Sequence, residues 1–225
     1  MGYRRIPFVP GEWYHCYSRG IDGRTVFENP RDYERFREAL YLSNSKETNP
    51  RGNFQHLSYS ETLTLTRQGP IVAIGAYCLM PNHFHLLLQE IEEGGISKFM
   101  HRVGTSYTMY FNLKRERIGN LFVKPFRSKH IADDRYLKRV AQYIHLNPVA
   151  LYEPGWKKGL VKNMNALEKK LHAFPHSSLP DYEGQKRKEE ALLDVNAMEL
   201  LREDIRPLSK LLIETREYYA ELLLS

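Results

Sequence analysis

Along the chain the apolar positions switch between short runs, alternation and helical spacing, and the switches mark the elements. Glu12 to Ser18 (EWYHCYS) is dense in aromatics and ends at Arg19-Gly20, which predicts a strand running into a turn. Pro30 suits the first helical turn behind Asn29, and Tyr33, Phe36, Leu40 and Tyr41 then recur at helical spacing to about Asn44. From Ser45 to Gly69 the chain turns polar, with Asn49-Pro50-Arg51-Gly52 as turn material and Glu61 to Thr66 readable as a short edge strand. Ile71 to Leu79 and His83 to Glu90 are β-prone runs separated by Met80-Pro81-Asn82, so they predict adjacent antiparallel strands. A stripe at 96, 99, 100, 103, 107, 110, 111 and 113 predicts a long amphipathic helix over Ile96 to Arg117, stopped by Gly119. Leu121 to Ile131 reads as extended. Asp133 or Asp134 then caps a helix whose buried stripe is Leu137, Val140, Ala141 and Ile144, and Pro148 marks its end.

This succession implies an α+β fold in which helices pack on a mainly antiparallel sheet. Beyond Tyr152 the texture changes. Lys-rich helix-like segments come first, then a Pro-Ser loop from Phe174 to Tyr182, a charged run from Gln185 to Glu190, and helices over Leu192 to Arg202 and Pro207 to Leu224. The expected organisation is therefore a domain over residues 1–152 followed by a mostly helical extension over 153–225. Lys186-Arg187-Lys188, balanced by Glu189-Glu190, reads as a solvated helix start.

The 225 residues are 42% apolar and 12% aromatic, enough to bury a core and unlike a disordered chain. A formal charge of +6 makes a polyanion a fitting partner. Cys16 and Cys78 lie far apart and outside any CxxC pattern, which indicates neither a zinc knuckle nor a disulfide scaffold. No stretch has the apolar length of a signal peptide or a membrane span, and the expected location is the cytoplasm.

His83-Phe84-His85 begins a strand in which side chains alternate faces, so both imidazoles project to one side and Phe84 to the other. Such a pair suits a transition metal, and also magnesium or manganese when oxygen ligands complete the shell; alone, it is a weak signal that more often means ordinary polar packing. Tyr143 and Asn147 lie four apart on a helix and share a face, although Asn147 before Pro148 also reads as a C-cap.

Taken together, YCLMPNHFHLLL (Tyr77 to Leu88) and YIHLNPV (Tyr143 to Val149) closely resemble the tyrosine HUH transposases, in particular the REP-associated tyrosine transposases. The resemblance extends to WYHCYSRG at Trp13 to Gly20, SYTMYFN at Ser106 to Asn112 and GNLFVKPFRS at Gly119 to Ser128, and covers roughly residues 12–152. It implies a ferredoxin-like fold, His83 and His85 as ligands of Mg²⁺ or Mn²⁺, Tyr143 as nucleophile and Asn147 as third ligand. Many relatives place Gln at that last position, and the Asn amide oxygen is an equivalent hard ligand on a shorter stem.

The implied activity is metal-dependent cleavage and transfer of single-stranded DNA at hairpins through a 5′-phosphotyrosine link, with a homodimer left open. Arg102, Lys114, Arg115 and Arg117, then Lys124, Arg127 and Lys129, interleave with aromatics as backbone binding requires, and are the expected DNA contacts. His145 is a candidate base. Competing readings are a replication or mobilisation initiator, disfavoured by the missing GxxxxGK[ST], and a non-catalytic DNA-binding regulator. A paired-histidine phosphodiesterase is the third, and it lacks its second H-x-[ST] element.

Overall fold

The computed structural model describes residues 7–47, 56–202 and 208–224. Four strands form one antiparallel sheet: β1 (Trp13–Arg19), β2 (Val72–Met80), β3 (His83–Glu90) and β4 (Arg127–Ile131), in the order β2-β3-β1-β4. Helix α1 (Pro30–Ser43) connects β1 to β2 and α3 (Gly95–Lys114) connects β3 to β4, with the short α2 (Tyr59–Thr62) after α1. This βαββαβ course with β1 and β3 central is the ferredoxin-like arrangement. Then follow α4 (Asp134–Leu146), α5 (Val149–Tyr152), α6 (Met164–His172), α7 (Leu179–Tyr182), α8 (Val195–Leu201) and α9 (Leu208–Leu224).

The two sheet faces are assigned by parity. Tyr14 and Cys16 of β1 and Phe84, Leu86 and Leu88 of β3 join Phe36, Leu40, Phe99, Val103 and Tyr107 in the core beneath α1 and α3. Leu87 of β3, Ala76, Cys78 and Met80 of β2 and Ile131 of β4 join Leu137, Val140, Ala141 and Ile144 of α4 in a second core on the opposite face. One irregularity reconciles β2 with both: the register shifts between Ile74 and Ala76, so Val72 and Ile74 share a face with Tyr77 and Leu79. The inserted residue of such a bulge flips parity downstream. At position 75 an added Cβ would approach Leu201 Cδ1 and Trp13 Cζ3 to 3.0 Å, so a larger residue there requires those side chains to give by a few tenths of an ångström.

Asn29 and Asp133 cap α1 and α4 by accepting from the N–H groups of Asp32 and Tyr136. Where an edge strand was expected over Glu61 to Thr66, the chain instead makes α2, because Ser58 and Glu61 form a reciprocal capping box. The turn expected at Asn49 to Gly52 lies outside the described residues. Leu121 to Ile131 is extended only in part: a bridge joins Gly20 to Phe122, and the strand proper begins at Arg127. The Pro-Ser loop is no surface connection either, because Ser177 bridges Cys78 at the edge of β2 and Ser178 N–H donates to Tyr77 O. Arg187, expected in a solvated helix start, is half-buried and ion-paired with Asp181.

Asn44 shows how a single side chain sets the entry to β2. It is 3% exposed; its Oδ1 accepts from the N–H groups of Ile71 and Val72, and its Nδ2 donates to Val72 O. Asn44→Ala is expected to destabilise the chain by about 2–3 kcal/mol, because it strands buried backbone donors. Urea unfolding of the two proteins measures this, and an unchanged midpoint would mean that water replaces the side chain at no cost.

Candidate active site

His83 and His85 sit on the face of β3 that meets α4, as the alternation predicts, and their rings lie nearly perpendicular with centroids 5.1 Å apart. Each has its Nδ1 engaged. His83 Nδ1 is 2.7 Å from Asn82 Oδ1, so the amide oxygen accepts the proton of that nitrogen. His85 Nδ1 is 2.8 Å from Nε2 of His15 on β1. In both imidazoles Nε2 is therefore the second nitrogen.

The C-terminal end of α4 supplies the other half. Asn147 is its C-cap, and Asn147 Nδ2 donates to Tyr143 O at 2.9 Å, which leaves Oδ1 for His83, its hydrogen-bond partner. The Tyr143 ring meets His85 edge-on at 5.5 Å and His15 at 5.6 Å between centroids. Tyr143 is only 5% exposed, and Tyr218 of α9 packs against it at 4.7 Å.

Burial sets the electrostatics. It lowers His83 to about 4, against a hydrogen bond to Asn147 that raises it, and it lowers His15 to about 3 with help from Lys129. His85 is held well below its ordinary value, first by burial and then by the neighbouring His15 and His83. The cluster is thus neutral at physiological pH, which is the ligating form of imidazole. Among the described residues no group of three His, Cys, Asp or Glu is arranged to hold a metal ion, here or elsewhere, so a third ligand in this place would be the Asn147 amide. Two imidazole Nε2 atoms with their Nδ1 atoms held, plus an amide oxygen, fit a divalent cation with open positions.

The expected DNA contacts divide between the faces. Arg102, Lys114, Arg115 and Arg117 belong to α3 and the turn after it, on the face away from the histidines, and all are engaged. Arg102 donates to Ser43 O and Ser45 O, Lys114 pairs with the buried Asp32, Arg115 with Glu28, and Arg117 with Asn112. Arg127 and Lys129 are on the site face, opposite Tyr17 and His15 in the register, while Lys124 is exposed in the preceding turn. Lys129 Nζ lies over the rings of Tyr136 and Tyr218 at 5.6 and 5.5 Å. His145 is turned away from Tyr143: its Nε2 is 2.8 Å from Ser178 Oγ, and burial lowers it to about 3, so it is not placed to take the tyrosine proton.

Several site residues had no role assigned from the sequence. Arg19 pairs with His83 across the sheet, and with Tyr17, Ser18, Val123, Pro125 and Arg127 it lines a cleft of about 210 Å³ that opens beside His83. His15 and Tyr218 are the others. His15 shares the parity of Trp13 and Tyr17, which is the one sequence signal that places it beside His85.

Residues 58–147 match the family model described as "Transposase IS200 like". A solved structure described as a REP-associated tyrosine transposase bound to a REP hairpin superposes with a TM-score of 0.53 at 16% identity, covering 92% of this chain and 99% of the other. At that identity the likeness establishes the fold. No curated protein matches the chain. Among the described residues no helix is long and apolar enough to cross a membrane.

Proposed function

We propose that this chain, whose residues 58–147 match the IS200-like transposase model, is a metal-dependent nuclease and strand transferase that cuts single-stranded DNA beside a hairpin through Tyr143. The observation that carries this is the convergence of Tyr143, Asn147 and two Nε2 atoms whose partner nitrogens are already bound. His83, His85 and Asn147 would hold Mg²⁺ or Mn²⁺. When bound, such an ion supplies polarisation of the scissile phosphate and neutralises charge developing on its oxygens.

The chain's own residues account for the rest. The Tyr143 oxygen attacks phosphorus, the bond from phosphorus to the 3′ oxygen breaks, and the proton lost by the phenol is matched by the one gained at the leaving 3′ oxygen. The 5′-phosphotyrosine retains the phosphodiester energy, so another 3′-hydroxyl reverses the step and joins strands without a nucleotide cofactor. Arg19 and Arg127 border the cleft beside His83, where neighbouring phosphates of an unpaired strand would lie. The relative solved with a REP hairpin makes hairpin DNA the substrate to try first.

The test is a labelled single-stranded hairpin incubated with the protein and Mn²⁺ or Mg²⁺. A denaturation-resistant adduct is expected that EDTA prevents. The near-complete burial of Tyr143 under Tyr218 favours a second reading, a DNA-binding regulator that does not cut. A tight hairpin complex with no adduct under either metal would select it.

A further inference from the structure

His15 is wholly buried and joined at both ring nitrogens: Nε2 to His85 Nδ1 at 2.8 Å, and Nδ1 to the Tyr218 hydroxyl at 2.9 Å. Tyr218, 203 residues further along the chain, is itself fully buried and hydrogen-bonded to Tyr136. This unbroken line runs from His85 on β3 through β1 to helices α9 and α4.

Neutral imidazole carries one N–H, so the line has two directions. In one, His85 Nδ1 donates to His15 Nε2, His15 Nδ1 donates to Tyr218, and His85 Nε2 presents a bare lone pair. In the other every bond is reversed: Tyr218 donates to His15, His15 donates to His85 Nδ1, and the His85 proton sits on Nε2. Only the first leaves His85 able to bind a cation through Nε2. At His83 the corresponding nitrogen, Nδ1, meets Asn82 Oδ1, which can only accept and so favours the proton there.

We propose that His15 and Tyr218 are positioning residues that set the tautomer and orientation of His85, so that the divalent-cation affinity of the site depends on how α9 is docked. The inference rests on the metal reading given above, and extends it to residues to which the sequence assigned no role. Outer partners of this kind typically change metal affinity by about 10–100-fold when removed. Linkage makes the effect reciprocal: what strengthens cation binding through α9 is also strengthened by the cation.

Calorimetric titration of the full chain with MnCl₂ at pH 7.5 tests this without reference to cutting. The parent chain is expected to bind at one site that His83→Ala abolishes. His15→Leu should weaken binding by about 10–100-fold. His15→Gln, whose amide oxygen can accept from His85 Nδ1, should recover most of the loss. Tyr218→Phe keeps the ring and removes only the hydroxyl; it should weaken binding several-fold with an unchanged circular dichroism spectrum, and it serves if His15→Leu fails to fold. Parent-like affinity in Tyr218→Phe and in a folded His15→Leu, alongside loss in His83→Ala, overturns the inference and leaves the metal site standing. If His83→Ala titrates like the parent, the metal reading falls and this inference with it.

Discussion

Tyr143→Phe is expected to remove the covalent adduct altogether and to lower strand cleavage by on the order of 10³-fold or more, while hairpin binding stays within about twofold. The size follows from the role, since no neighbouring group can substitute for the attacking oxygen. Tyr17 and Tyr218 are the other phenols beside the histidines, but Tyr218 is wholly buried and hydrogen-bonded to His15, and Tyr17 is stacked on the His85 ring from β1 and not carried on the helix of Asn147. Retention of binding follows from packing, because the phenylalanine ring keeps the edge-on contacts to His85, His15 and Tyr218. Gel analysis under denaturing conditions reads the adduct, and anisotropy of a labelled hairpin reads the binding. An equal adduct from both proteins would move the nucleophile elsewhere.

What made the centre of this site legible was its reliance on local periods. The alternation at His83, Phe84 and His85 has only one outcome once Phe84 is in the core with Phe36, 4.9 Å away. The four-residue spacing of Tyr143 and Asn147 is likewise fixed by helix geometry. The βαββαβ course followed from the same periods, with the two central strands enclosed by helices on both faces.

What escaped the sequence is nonlocal. His15 looks like one ring among several in WYHCYSR, and only pairing with β3 sets it against His85. Tyr218 and Ser177 come from segments whose partners are far upstream, so no window of sequence contains the contact. Charge misled for a related reason: Lys114 and Arg115 make a basic helix end when counted along the chain, but Glu28 and Asp32 arrive beside them from the start of α1. The hydrogen bonds of Lys114, the Glu28 N–H and Tyr110 hold the Asp32 carboxyl below its ordinary range despite the burial that opposes ionisation. Such a lysine is committed to the fold, whereas Arg19 and Arg127 border an open cleft.

Stability should fall steeply as the pH drops from 7.5 to 5, by about 4 kcal/mol or more, a large part of the 5–15 kcal/mol that holds a typical domain. The cause is the set of histidines buried in neutral form. His15 and His145 are each lowered to about 3, in both cases first by burial. In the unfolded chain both return to about 6.5. A group whose folded pKa is depressed takes up its proton only on unfolding, so its contribution is intact above about pH 6.5 and declines as the pH falls toward the folded value. At pH 5 that is about 2 kcal/mol for each of the two. His83, His85 and His176 are shifted in the same direction and add to it. Urea unfolding at pH 7.5, 6.5, 5.5 and 5 traces the loss. His145→Gln, away from the His15 line, is expected to narrow the gap between pH 7.5 and 5 by about 2 kcal/mol. Equal stability at both ends of the range would mean that the cluster takes up protons without unfolding, and hence that its rings are far more hydrated than their burial allows.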